Sequence, residues 1–409
     1  MRPLPRPEIW ITGLGVVTAY GVGVAPLVTG LRAGGAALVQ AQAHEVGLLP
    51  VPRVAAFRGE IGVPEGFEGD RKAALLLAAA AQLPVLETDG GDCAVSLGTG
   101  LSSVTIEELE GDLYPHLVAG RFDRASLAAN LAPGAGAPAR HLPARAARAL
   151  AGVLGARGPV STSFSACAAG AQAIAAAMDM LRRGEARRAV AGGYDAMIHP
   201  LGVLSFLLLD TLAREACRPF DLDRDGFVIG EGAALFLLET PEAARAVGRR
   251  PLARLLGTGT SIDAHAVTAP HPDGAGARLA MLRALDDAAL PPEAVSQVNA
   301  HGTGTPIGDR AEALAICAVL PASIPVCSLK GALGHTIAAA GAVELASTVA
   351  AMEAGFAPGT VACLRPDPAC PIHVQTDPSE GPPGVVLSNS FGFGGQNAAI
   401  VVAHPDWIR

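Results

Sequence analysis

Apolar positions along this chain follow two alternating rhythms. Short runs dense in Val, Ile, Leu and Ala, closed by Gly, have the length of buried strands: "EIWITGLGVV", "DCAVSLGTG", "GPVSTSFSA", "RRAVAGGYDAM", "GEGAALFLLE", "ARLLGTGTS", "VSQVNAHG", "IPVCSLKG", "GVVLSNSFGFGG" and "NAAIVVAH". Between them lie longer stretches with apolar residues three or four apart, which predict helices: "VAPLVTGLRAG", "RKAALLLAAAAQLPVL", "PARAARALAGVLGARG", the segment after Cys167, "GARLAMLRALDDAAL", "RAEALAICAVL" and "AAGAVELASTVAAMEAG". Strands alternating with helices predict an α/β layered fold. Both halves run in the same order and both end in a pair of apolar strands, which suggests a duplicated unit. The Pro- and Gly-containing stretch Leu238 to Pro251 is the expected boundary, giving an N-terminal half at 1–248 and a C-terminal half at 249–409.

Composition narrows the function classes. The chain of 409 residues is 50% hydrophobic but only 4% aromatic, so its core is built from small aliphatic side chains, as closely stacked layers require. A net charge of -8 gives no general attraction to nucleic acid or to anionic membranes. The pairs Arg182–Arg183 and Arg249–Arg250 read as cations closing helix C-termini, with a local basic patch for an acidic partner as the other reading. Prolines interrupt the opening "MRPLPRP" where a secretory leader needs an apolar run, and no later stretch offers about 18 unbroken apolar residues, so a cytoplasmic protein without a membrane span is expected. Seven cysteines without a C-x-x-C pair point away from a disulfide framework and from a zinc cage, and no metal is expected.

Candidate chemistry gathers where strands give way to helices, the ends at which ligands collect in α/β sheets. In "VSTSFSACAAGAQAIAAAMDMLRRG" Cys167 falls at the start of a helix, where unpaired N–H groups and the helix dipole favour a thiolate. A cysteine among alanines also suits inert packing. "NAHGTGTPIGDRAEA" sets His301 at a second such junction, and "SLKGALGHTIAAAGAVELA" sets Lys330 and His335 at a third. One thiolate and two imidazoles suit acyl transfer: sulfur holds an acyl group as a thioester, and neutral imidazoles donate to developing oxygen charge. Lys330, five residues before His335, is expected to orient that ring; a solvated surface amine is the alternative. "SNSFGFGGQNAAI" places Phe391 and Phe393 among glycines, as walls or a gate beside backbone N–H groups, or as buried rings of an ordinary turn.

Together the segments "ITGLGVVTAYG", "SACAAG", "RPFDLDRDGFVIGEGAALFLLE", "NAHGTGTPIGD", "KGALGHTIAAAG" and "NSFGFGGQN", in this order and spanning nearly the whole chain, resemble the elongating beta-ketoacyl-[acyl carrier protein] synthases of the thiolase fold. The resemblance implies a duplicated α-β-α-β-α architecture. It implies Cys167 as the acyl-accepting nucleophile, His301 and His335 as the pair assisting decarboxylation, and Lys330 as the support of His335. Thr303, Thr305 and, less directly, Thr268 would bind a phosphopantetheine arm. Phe393 would be the gate, Phe391 would line the channel, and the N–H groups of Phe393 and Cys167 would form an oxyanion hole. Asp309, Glu312 and Glu344 would be structural supports. The implied reaction is a ping-pong decarboxylative condensation in fatty acid or type II polyketide-like synthesis, with acyl carrier protein as partner, no metal or redox cofactor, and a homodimer or a heterodimer with a chain-length-factor-like subunit.

Three departures stand out. The loop Asp210 to Arg218 is shorter than the family's, Ala338 stands where the "GHxxGAAG" pattern has Gly, and Ser165 stands where Thr is usual. Competing readings are a non-elongating chain-length-factor-like partner, which typically lacks the cysteine, and a thiolase acting on coenzyme A esters, whose usual Cys-x-Gly neither Cys363 nor Cys370 matches. A Cys–His hydrolase would not need the paired histidines.

Overall fold

The computed structural model describes residues 7–63, 65–84, 92–100, 111, 114–130 and 142–408. Ten principal strands form: β1 (Ile9–Thr18), β2 (Cys93–Thr99), β3 (Val160–Ser163), β4 (Arg188–Ala196), β5 (Glu231–Glu239), β6 (Ala253–Ile262), β7 (Gln297–Asn299), β8 (Pro325–Cys327), β9 (Val385–Gly392) and β10 (Gln396–Ala403). Their spatial order is β8-β7-β9-β10-β6-β1-β5-β4-β2-β3.

The order is the same on either side of the β6–β1 junction. In the N-terminal half β3, β2 and β4 are parallel, and β5 runs antiparallel between β4 and β1. In the C-terminal half β8, β7 and β9 are parallel, and β10 runs antiparallel between β9 and β6. The halves join through β1 and β6, with Ile9 opposite Leu255 and Ile11 opposite Ala253.

Helices supply three further layers. α1 (Arg71–Ala80) and α2 (Ala144–Leu154) cover the outer face of the first half, while α4 (Ala275–Asp287) and α5 (Pro306–Val319) cover that of the second. Between the half-sheets lie α3 (Ala169–Arg182) and α6 (Ala340–Glu353), which pack on each other and on strands of both halves. Every residue of α6 from Ala340 to Met352 is buried, as an all-round apolar helix must be. Small residues let the two central helices approach closely: a Cβ at Gly170 would lie 3.1 Å from Ala338 O and Ala342 N, and one at Gly341 would lie 2.8 Å from Ala171 Cβ. The result is the duplicated α-β-α-β-α layering of the thiolase fold.

Several helices were not legible in the sequence, among them Arg124–Asn130, Pro241–Ala246 and the longer Pro200–Leu208. Pro200–Leu208 is apolar at nearly every position, so no period marks it; Pro200 opens it and His199 caps it by accepting the Gly202 N–H at 3.3 Å. The helix expected over "RKAALLLAAAAQLPVL" ends at Ala80, and its last two residues, like the "MRPLPR" opening, lie outside the described residues. Among the described residues no helix is long and apolar enough to cross a membrane. All seven cysteines are free.

Candidate active site

Strand β3 ends at Ser163, and the chain turns through Ala166, at φ 46, into a 3-10 turn, Ala166–Ala168, that leads into α3. Cys167 is the middle residue of that turn, nearly buried at 5% exposure. Across from it, His335 follows the short helix Lys330–Leu333 at the end of β8. Its backbone is held on both sides by the "GFVIGEG" segment: its N–H donates to Val228 O at 2.8 Å, and its carbonyl accepts from Gly230 N–H at 2.8 Å. Phe227 meets the ring edge-on at 4.9 Å.

The His335 Nε2 lies 3.2 Å from Cys167 Sγ. On the other side of the ring, Nδ1 accepts the Ile337 N–H at 3.3 Å. A neutral imidazole that accepts at Nδ1 carries its proton on Nε2, so His335 presents an N–H to the sulfur.

His301 reaches the same place from the end of β7. The Glu312 carboxylate accepts the N–H groups of His301 and Gly302 at 2.8 and 2.7 Å, and Asn389 donates to Glu312 at 3.1 Å. The rings of His301 and His335 stand 5.3 Å apart at 81°. Lys330 corrects the expectation made for it. Its Nζ sits 3.2 Å from His301 Nδ1 and also bonds His301 O and the Glu344 carboxylate, so it supports His301 rather than His335. The reason is geometric: the helix Lys330–Leu333 turns the lysine toward β7, away from the ring five residues later. An ammonium only donates, so His301 Nδ1 accepts and Nε2 keeps the proton.

Burial, and then the Lys330 charge, hold both imidazoles well below the ordinary histidine range, so both are neutral. The thiolate expected for Cys167 is not the resting form. Burial pushes its thiol up to about 12 despite the Lys330 charge and the Phe393 N–H bonded to the sulfur. Lost hydration of a buried anion opposes the thiolate that a helix start favours. Burial also raises Glu344 to about 7, tempered by Lys330, and Asp309 to about 7.

A cavity of about 430 Å³ joins these groups, lined by Cys167, His301 and His335, by Thr268, Thr303 and Thr305, and by Phe391 and Phe393. Asp309 and Glu312 lie on its wall, while Lys330 and Glu344 stand behind His301. The hydroxyls of Thr303 and Thr305 are 2.8 Å apart on the turn that Asp309 braces by accepting the N–H groups of Phe220 and Gly304. Phe391 lies 5.9 Å from the His301 ring. The glycine loop is tied down where Gly394 N–H donates to Val267 O at 2.7 Å. The short loop after Pro200–Leu208 brings Leu209, Asp210 and Thr211 to the rim before Ala213 N–H bonds Phe227 O. A thiol, two imidazole donors and a mouth lined by hydroxyls are a site for forming and cleaving thioesters while stabilising oxygen charge.

Comparison with known proteins gives the same answer. The family description "Beta-ketoacyl synthase, N-terminal domain" matches residues 76–244, and "Beta-ketoacyl synthase, C-terminal domain" matches residues 252–363. The chain belongs to the beta-ketoacyl synthase family. The synthase is 39% identical over 323 residues to 3-oxoacyl-[acyl-carrier-protein] synthase 2 of Mycobacterium tuberculosis (strain ATCC 25618 / H37Rv), covering 77% of this chain and 75% of that protein. The solved ishigamide ketosynthase/chain length factor superposes with a TM-score of 0.85 at 30% identity, covering 98% of this chain and 99% of that one. A type II polyketide synthase acyl-carrier protein solved with its ketosynthase bound to the hexaketide gives 0.85 at 28%, covering 98% and 100%. The synthase is thus an acyltransferase-type condensing enzyme.

Several functional contacts of the synthase escaped sequence reasoning. Phe227 and the Val228–Gly230 backbone stand in a recognisable segment whose residues do not announce their role, because their partner His335 is more than 100 residues away. The Ile337 N–H, which sets the His335 tautomer, leaves no mark in residue identity.

Proposed function

We propose that the synthase lengthens an acyl chain by two carbons, taking both substrates as thioesters on the phosphopantetheine arm of an acyl carrier protein. In the first half-reaction the Cys167 sulfur attacks the acyl thioester carbonyl, the bond from that carbonyl to the carrier sulfur breaks, and the proton of the Cys167 thiol passes to the departing carrier sulfur. The Phe393 N–H and the His335 Nε2–H stabilise the sulfur anion on the way. In the second, a malonyl thioester loses carbon dioxide, and the enolate oxygen is held between the Nε2–H groups of His301 and His335. The enolate carbon attacks the Cys167 thioester carbonyl, whose oxygen charge faces the N–H groups of Cys167 and Phe393, and Sγ leaves and takes up a proton from solvent, which restores the thiol. Thr303 and Thr305, with Thr268, hold the arm. The chemistry requires no metal and no redox cofactor.

One observation carries this reading: a sulfur and two buried imidazoles, whose Nδ1 atoms are engaged by the Lys330 Nζ and the Ile337 N–H, face a single cavity. The reading takes the enzyme as cytoplasmic, in fatty acid or type II polyketide-like synthesis. It pairs either with a second copy of itself or with a chain-length-factor-like subunit, as the ishigamide ketosynthase does in the solved complex. Intact-protein mass spectrometry after incubation with acyl-carrier proteins of different chain lengths tests it. Wild type gains the mass of one acyl group and, with malonyl-carrier, releases a beta-ketoacyl-carrier, while Cys167→Ala loses both by at least about 10⁴-fold. Turnover by Cys167→Ala at the wild-type rate overturns the mechanism.

A further inference from the structure

We propose that Asp195 is a positioning residue for His335, acting through the backbone of the turn that follows the histidine. The proposal rests on the condensing role given to His335 above.

Asp195 stands at the end of β4, in the other half of the molecule from His335, and is wholly buried. Its Oδ2 accepts the Ala338 N–H at 3.1 Å, and its Oδ1 accepts the N–H of Ala196 at 2.9 Å. Ala338 is the middle residue of the 3-10 turn Ile337–Ala339, which lies on β4 so closely that a Cβ at Gly193 would stand 3.1 Å from Ala338 O.

That turn is strained. Ile337 adopts φ 50, a conformation a β-branched residue leaves unless its neighbours hold it there. The His335 bonds to Val228 and Gly230 fix the chain before Ile337, and the Ala338 bond to Asp195 fixes it immediately after. Held at both ends, the Ile337 N–H reaches His335 Nδ1, and this contact places the imidazole proton on Nε2, facing Cys167. The carboxylate of one half thereby sets the proton position on the ring of the other.

Charge decides between this role and direct activation of the thiol. The negative Asp195 raises the Cys167 thiol rather than lowering it, so it opposes ionisation of the nucleophile. Its favourable contribution is the accepted hydrogen bond, not the field.

Two substitutions separate the bond from the charge. Asp195→Asn keeps one acceptor oxygen, for the Ala338 N–H, and gives up the bond from the Ala196 N–H; Asp195→Ala removes both, and Asp195→Ser serves in its place should the alanine variant not fold. In the alanine variant, condensation with malonyl-carrier is expected to fall about 10- to 100-fold, the cost of a misplaced catalytic group, while acyl loading of Cys167 stays within about threefold. The asparagine variant is expected to recover condensation to within about threefold of wild type. Nitrogen-15 spectra of labelled histidines should show the Nε2–H form of His335 in wild type and in the asparagine variant, and a mixed population in the alanine variant. Equal loss of loading and condensation, no rescue by asparagine, or an unchanged His335 tautomer in the alanine variant overturns the proposal. A wild-type enzyme that does not condense at all would instead overturn the function proposed for the site.

Discussion

Two turns of the molecule share one backbone design and carry different chemistry. After β3 the chain passes a non-glycine residue at positive φ, Ala166, makes a 3-10 turn and enters the 14-residue helix α3; after β8 it passes Ile337, makes a 3-10 turn and enters the 14-residue helix α6. The middle residue of the first turn is Cys167, and that of the second is Ala338, with His335 three residues earlier. The duplicated scaffold thus brings two similar turns face to face and sets the thiol on one and the imidazole beside the other. Division has a physical reason: a thiol and a ring within 3.2 Å of each other, each held by its own backbone, come more readily from two facing segments than from one.

The comparison breaks most sharply at the second turn. His335→Ala should lower condensation by about 10²- to 10³-fold, the cost of removing one preorganised donor, while leaving acylation of Cys167 within about tenfold. Separate assays of acyl loading and of beta-ketoacyl product check this, and equal losses in both would mean that the two turns do not divide the chemistry.

A second measurement concerns the first turn. The Cys167 thiol, pushed up to about 12 by burial, is protonated at neutral pH, and only the anion alkylates. Its folded value lies above that of an unhindered thiol, so reactivity is missing at neutral pH and returns as pH rises. Alkylation by iodoacetamide should increase about tenfold per pH unit between roughly pH 7 and 9, without a plateau. A plateau near neutrality would restore the thiolate that the helix start alone suggests.

The smallest effect lies in the strained residues themselves. Ala166→Gly relieves a left-handed conformation that costs about 1–3 kcal/mol in a residue with a Cβ, and should leave stability unchanged or raise it by up to about 1 kcal/mol. Ile337→Gly relieves the same strain but also deletes a buried side chain, and should lower stability by about 2–3 kcal/mol. Denaturant unfolding of both variants compares the turns directly, and equal shifts would mean that side-chain burial does not distinguish them.

Much of the fold was legible because its elements advertise themselves locally. The strands "GEGAALFLLE" and "NAAIVVAH" open on Gly or Asn and are apolar between their polar ends, and they form β5 and β10 close to the expected limits. Pro200–Leu208 was not legible because a helix apolar at almost every position has no period to read. The residues around the cavity were legible as members of a family pattern: Cys167, His301, His335, Thr303, Thr305 and Phe393 do line one space. The partner of Lys330 was not, since nearness in sequence favoured His335 and the packing of its short helix chose His301.

By itself the sequence determined which residue types stand at the ends of which strands, because strand and helix periods and the residues that close them are properties of adjacent positions. Protonation and pairing were decided by the tertiary structure alone. The neutral state of the sulfur comes from the water it loses, the proton on His335 Nε2 from a backbone N–H on a strained turn, and the link from Asp195 to that turn from the packing of one half on the other. Such quantities depend on distances between groups far apart in the chain, and no local pattern records them.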